Sequence, residues 1–204
     1  MFPTFFIPSS GFSLELFIEN HGFEDPPQGV GIMPPGWTNN LPGTSNPYAW
    51  VDADAPEGGA HSIGGQLGDG VMQIHQVIDL QSGANLVPTA LIDAGLLEVT
   101  ATFWAGSLEK GTLGPTGNDQ PKLTLRFLNG ASAEISTYTE GYLDPTRPGV
   151  ATNDHVFNET EYVHSTVVPA LTRYIDIVLD GNLAGGGSGS DAMFDDIRLN
   201  IHRA

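Results

Sequence analysis

Two pairs of carboxylates and six histidines are the residues here that could do acid–base or metal chemistry. Asp195 and Asp196 are adjacent in a strand-like segment, so their side chains are expected on opposite faces and cannot act together on one bond. Asp52 and Asp54, two apart, could share a face, but an acidic loop of this kind ordinarily stays solvated. A glycosidase needs two carboxyls held about 5–9 Å apart across a cleft, and nothing in the spacing points to one. His21, His61, His75, His155, His164 and His202 are scattered over strands and loops without helical His-x-x-x-His spacing, which argues against zinc. With no cysteine there is no thiolate nucleophile, disulfide or Cys-based zinc site. Gly186-Gly187-Ser188-Gly189-Ser190 lacks the last glycine of a nucleophile elbow, and no lysine follows the glycines as a phosphate-binding loop requires. The chain is read as a non-enzyme.

Calcium is the better-supported metal, because it accepts carboxylates mixed with backbone carbonyls. Glu24 lies just after the first strand-like run and Asp196 near the last. In a sandwich whose first and last strands lie close, the two converge; otherwise they are solvated acids. For sugars, the relevant side chains are aromatic, since ring C–H groups meet a π-face. Trp37, Tyr48, Trp50, Trp104 and Tyr142 lie in or near loops and strand ends, with core packing as the competing role for each. Tyr48 and Trp50 are the best stacking candidates, because they alternate and so share a face if extended; Tyr142 is the third. Asn158-Glu159-Thr160 matches a glycosylation sequon.

The elements that must position these groups are strands. Apolar alternation marks Phe12–Ile18, Val71–Leu80, Leu96–Trp104, Leu123–Phe127, Ala131–Thr139, Glu161–Val168, Tyr174–Leu179 and Met193–Ile201. Asn129-Gly130 between two of them reads as a tight hairpin turn. The Gly185–Ser190 stretch reads as a flexible hairpin loop before the last strand. Only Leu86–Gly95 has room for a short helical turn. With 26 glycines and 15 prolines in 204 residues, long helices are disfavoured. The fold class is all-β: an antiparallel two-sheet sandwich or jelly roll. Residues 13–204 form a single domain in this reading, preceded by an apolar arm over 1–12.

A net charge of −17 repels phosphate backbones and anionic lipid, so neither nucleic acid nor a membrane surface is an expected partner. No apolar run is long enough to span a bilayer. The opening Met1–Pro8 carries no Lys or Arg and is broken by two prolines, unlike a signal peptide. Its Phe2, Phe5, Phe6 and Ile7 suit docking onto a neighbouring subunit, with folding back on the chain's own sandwich as the alternative.

Asn20-His21-Gly22-Phe23-Glu24 followed by Pro35-Gly36-Trp37-Thr38 resembles the opening of carbohydrate-binding-module-like domains. Asp191-Ala192-Met193-Phe194-Asp195-Asp196-Ile197-Arg198-Leu199 resembles their closing strand. Gln76–Leu80, Leu91–Gly95 and Val168–Arg173 resemble landmarks between them. The resemblance covers residues 13 to 201 and implies a galactose-binding-domain-like jelly roll, non-catalytic, with a structural calcium at Glu24 and Asp196. It does not transfer a sugar site, because this fold hosts many functions. Two roles follow. One is a virion decoration (cement) or tail-associated protein on the virion surface, docked to neighbouring subunits and able to carry a glycan site. The other is a free or appended extracellular carbohydrate-binding module.

Overall fold

The computed structural model describes residues 11–25, 33–39, 48–51, 61–64, 72–107, 120–139, 160–182 and 192–204. The elements are β1 (Ser13–Leu16), β2 (Thr38–Asn39), β3 (Tyr48–Val51), β4 (His61–Gly64), β5 (Met72–Asp79), α1 (Thr89–Asp93), β6 (Leu97–Ser107), β7 (Gln120–Leu128), β8 (Glu134–Thr139), β9 (Thr160–Val167), β10 (Tyr174–Asn182) and β11 (Ala192–Arg203). They form two antiparallel sheets. The first runs β3-β4-β11-β6-β9, with β1 also on β11; the second runs β2-β5-β10-β7-β8. The expected all-β sandwich is the observed fold.

Alternation explains both sheets. In β6, Leu97, Val99, Ala101, Phe103 and Ala105 are buried, while Glu98, Thr100, Thr102 and Trp104 between them are half-buried on the other face. In β10, Ile175, Ile177 and Leu179 are fully buried. Together with Leu123, Leu125 and Phe127 of β7 and Phe194, Ile197, Leu199 and Ile201 of β11, they fill the space between the sheets. Each fully buried large apolar side chain contributes about 1.5–3 kcal/mol before ordering costs. The short α1 adds Leu91 and Ile92 to this core and ends where Gly95 takes φ +63°, a backbone conformation that favours glycine.

Four local expectations are corrected. β10 and β11 are not a hairpin: they lie in opposite sheets. The β7–β8 hairpin exists, but its turn is longer than Asn-Gly alone. Ser132, not Gly130, takes the left-handed conformation at φ 58°. The Asn129 N–H donates to the Ala133 carbonyl at 2.9 Å, and the Asn129 side-chain oxygen accepts from the Ala131 and Ala133 amides. This is a three-residue loop closed by a left-handed residue. Phe12, placed in the arm by the sequence, belongs to the sandwich, because its carbonyl accepts from the Arg203 amide. Finally, β11 carries a bulge between Asp195 and Arg198. Two residues, Asp195 and Asp196, separate the core-facing Phe194 and Ile197, so the strict two-face alternation expected of the two carboxylates is broken.

Candidate functional site

β10 is the central strand of the second sheet, between β5 and β7. Its core-facing isoleucines force Asp176, Val178 and Asp180 onto the outer face. By the same alternation Gln73, His75, Val77 and Asp79 of β5 and Lys122, Thr124 and Arg126 of β7 share that face. The register sets Arg126 opposite Asp176 and Lys122 opposite Asp180, with Gln73 on the other side of Asp180.

The polar groups are interlocked. Asp176 is 3% exposed at its side chain; Arg126 Nη1 lies 3.0 Å from its Oδ2, and His75 Nδ1 lies 2.8 Å from its Oδ1. Arg126 Nε donates to Glu134 Oε2 at 3.0 Å, and the Thr137 hydroxyl donates to Glu134 Oε1 at 2.6 Å. The Thr137 hydroxyl, and then the Arg126 guanidinium, hold the Glu134 carboxyl below the usual carboxylate range. Lys122 Nζ lies 2.9 Å from Asp180 Oδ2, and Gln73 Nε2 donates to the same oxygen at 3.2 Å. Thr124 and Thr139 pair through their hydroxyls. Val77, 48% exposed, supplies apolar surface beside them. The result is a pre-ordered field of donors and acceptors around a small apolar patch, suited to hydrogen-bonding a hydroxylated ligand.

Sequence reasoning did not single out this face. The available signal was Asp176 and Asp180 at alternate positions between core residues of β10, and Lys122 and Arg126 likewise in β7. Of the seven basic residues in the chain, two occupy one such strand.

The second cluster sits where β1 and β11 meet. The Asn20–Asp25 loop is closed by Asn20, whose amide side chain donates to the Asp25 carbonyl and accepts from the Asp25 N–H, both at 3.0 Å. Asn20 and Phe23 have φ 50° and 53°. Phe23 packs against Trp37 at 5.3 Å between ring centroids, and Trp37 Nε1 donates to the Asn20 carbonyl at 3.4 Å. Trp37 is therefore a core residue. The loop is tied to the bulge of β11 by the Ile197 N–H, which donates to the His21 carbonyl at 3.0 Å.

This brings the expected calcium ligands, Glu24 and Asp196, to one junction. Both Asp196 oxygens are engaged. Arg198 Nε donates to Oδ1 at 2.9 Å, Arg198 Nη2 lies 2.7 Å from Oδ2, and His21 Nδ1 lies 3.0 Å from Oδ1. Asp195 is the acid on the Glu24 side: a Cβ at Gly22 would stand 3.8 Å from Asp195 Oδ1 and 3.9 Å from Glu24 Cγ. Asp195 Oδ1 in turn accepts from the Asp196 N–H at 2.7 Å. No group of three or more His, Cys, Asp or Glu that could hold a metal occurs among the described residues, so backbone carbonyls would have to complete the shell.

Of the other expected site residues, Tyr48 and Trp50 have a described backbone. Tyr48 and Trp50 lie in β3, on the first sheet, opposite Gly64 and Ser62 of β4; their side chains lie outside what the structure describes. Tyr142, Phe2, Phe5, Phe6 and Ile7 lie outside the described residues, as does Asn158. No described helix is long and apolar enough to cross a membrane.

No protein-family model matches the chain, and no curated protein matches it significantly. Solved structures do. The enzymatically active domain of tailspike protein 4 from bacteriophage CBA120 aligns with 89% of this chain at TM-score 0.53 and 12% identity. This chain spans about a fifth of that one, 21%. A family 61 carbohydrate-binding module in complex with β-1,4-galactotriose aligns over 90% of this chain and 97% of its own, at TM-score 0.47 and 13% identity. The CBM22-1 xylan-binding domain of Xyn10C from Paenibacillus barcinonensis aligns over 90% and 93%, at TM-score 0.47 and 12% identity. The chain resembles carbohydrate-binding modules in fold. In this module-like sandwich the polar outer face belongs to the second sheet, and the candidate calcium junction joins the two ends of the first.

Proposed function

We propose that this carbohydrate-binding-module-like chain is a non-catalytic glycan-binding protein, and that its ligand surface is the outer face of the second sheet. The observation that carries the reading is the set of interlocked side chains on β5, β10 and β7, from Gln73 and His75 through Asp176 and Asp180 to Lys122 and Arg126. Rigid polar groups hydrogen-bond sugar hydroxyls at little ordering cost. The fold likeness is consistent with this reading. The test is a glycan array probed with the intact chain and with Arg126→Met. Binding that Arg126→Met abolishes, with the fold retained, supports the reading; binding by both proteins alike moves the site elsewhere, and Tyr48 and Trp50 become the residues to change.

We further propose a virion surface as the setting, in a decoration or tail-associated role, with Phe2, Phe5, Phe6 and Ile7 docking on a neighbouring subunit. What supports it is the apolar character of that segment. Density-gradient sedimentation of native material, with mass spectrometry of the fractions, tests it: stoichiometric co-migration with a large particle is expected, and a small free species refutes it and leaves the extracellular module. Calcium at Glu24 and Asp196, with Arg198 giving way, is proposed as a structural ion that would neutralise the junction between β1 and β11.

A further inference from the structure

We infer that the outer face of the second sheet selects neutral glycans and discriminates against uronate-bearing ones. This rests on the glycan-binding reading above and deepens it. Proteins recognise sugar acids with cations whose donors are free to meet the carboxylate, arginine above all because its fork matches that group.

On this face both described cations are already committed. The Lys122 ammonium lies on Asp180, whose side chain is 10% exposed. The Arg126 guanidinium spends Nη1 on the buried Asp176 and Nε on Glu134. Four carboxylates, those of Asp79, Asp176, Asp180 and Glu134, share the face with these two cations. An arriving uronate thus meets an acidic field. To reach Lys122 or the Nη1 of Arg126 it must displace Asp180 or Asp176, whose side chains are 10% and 3% exposed, and leaving either unpaired is costly; at the outer edge of Arg126 it meets the charge of Glu134 instead.

Neutral hydroxyls face no such barrier. They donate to the carboxylate oxygens and accept from the outer edge of Arg126, which is 36% exposed. The exposed Val77 offers the flat apolar contact that a sugar ring needs.

The closing experiment is titration calorimetry of the full chain with three probes: xylohexaose, cellohexaose and an oligogalacturonide of the same length. The oligogalacturonide is expected to bind at least about tenfold more weakly than the better neutral probe, a gap that one or two unfavourable charge contacts supply. Asp180→Asn keeps the shape but removes the charge that holds Lys122, so it should narrow the ratio about threefold or more. Circular dichroism checks its fold, and Lys122→Gln, which removes the cation instead, should leave the preference for neutral probes in place. Oligogalacturonide binding equal to or tighter than neutral binding overturns the selectivity and leaves the glycan reading standing. An unchanged ratio in folded Asp180→Asn overturns the assignment to committed cations. Binding of none of the three probes, with neutral glycans on the array also negative, overturns the glycan reading and this inference with it.

Discussion

The Gln76 side-chain amide accepts a hydrogen bond from the Glu19 N–H at 2.8 Å and donates one to the Glu19 carbonyl at 3.0 Å. Two residues earlier Asn85 makes the same two-way pair with the backbone of Phe17. Beyond the end of β1 the chain thus keeps a ladder of alternate hydrogen bonds in which side-chain amides take the place of a strand. Backbone groups near a core need such partners. Gln76→Ala and Asn85→Ala are each expected to cost about 1–3 kcal/mol, because each strands a donor and an acceptor. Urea unfolding measures both, and Gln76→Glu should fare worse than its size suggests, since a carboxylate cannot donate to the Glu19 carbonyl.

Gly36 lies against this ladder. At φ +80°, a Cβ there would come within 2.6 Å of Glu19 Cβ and 2.9 Å of Gln76 Nε2. Gly36→Ala combines a disfavoured backbone with a contact that the strand cannot relieve, and about 1–3 kcal/mol of destabilisation is expected. Thermal melting checks it; a shift under one degree would mean that the Pro35–Trp37 turn relaxes freely.

On the outer face of the second sheet the two ends of one ion pair should behave differently. Arg126→Met leaves Asp176 buried with His75 as its remaining described partner, and about 3 kcal/mol of stability should be lost. Asp176→Asn leaves Arg126 able to turn to water and to Glu134, so about 1 kcal/mol is expected. Equal losses in chemical denaturation would contradict this account of where the pair is buried.

Glu134 gives the pH dependence its sign. Its folded carboxyl titrates below the ordinary value because Thr137 and Arg126 stabilise the charged form. Its contribution is therefore complete above the unfolded carboxylate range and is lost as pH falls through the lower, folded value. Melting curves of wild type and Glu134→Gln should differ near neutrality and converge in acid; a gap that widens in acid would reverse the sign.

The ion proposed at the junction of β1 and β11 has its own test. Calcium that binds only the folded chain raises the melting temperature as free calcium rises. Wild type should melt lower in chelator than in millimolar calcium, and Glu24→Gln should lose the difference. If neither protein responds, the calcium proposal falls.

Much of the fold could be read from the chain because alternation is a local property. Leu97-Glu98-Val99-Thr100-Ala101-Thr102-Phe103 announces both a strand and its buried face. Which strands pair is not local, and the reading of β10 and β11 as a hairpin failed for that reason. The candidate sites divide the same way. Convergence of Glu24 with the Asp195–Asp196 pair followed from the first and last strands lying together. The bulge that sets both Asp195 and Asp196 between Phe194 and Ile197 did not follow, because it arises from the pairing of β11 with β6. The polar face was hidden further still, since Arg126 and Asp176 are 50 residues apart and His75 and Asp176 are 101 apart.

The pairing of β1 with β11 sets Ser13 opposite His202 and Leu16 opposite Leu199. On the ribosome the earliest strand must therefore wait for the latest one before its backbone is satisfied on that side. Loop-closure entropy is paid before such distant contacts repay it, which places the chain among slow folders, on the scale of milliseconds to seconds. Until then the apolar faces of β6 and β10 need protection from one another's copies, so nascent-chain chaperones should raise the yield of native protein.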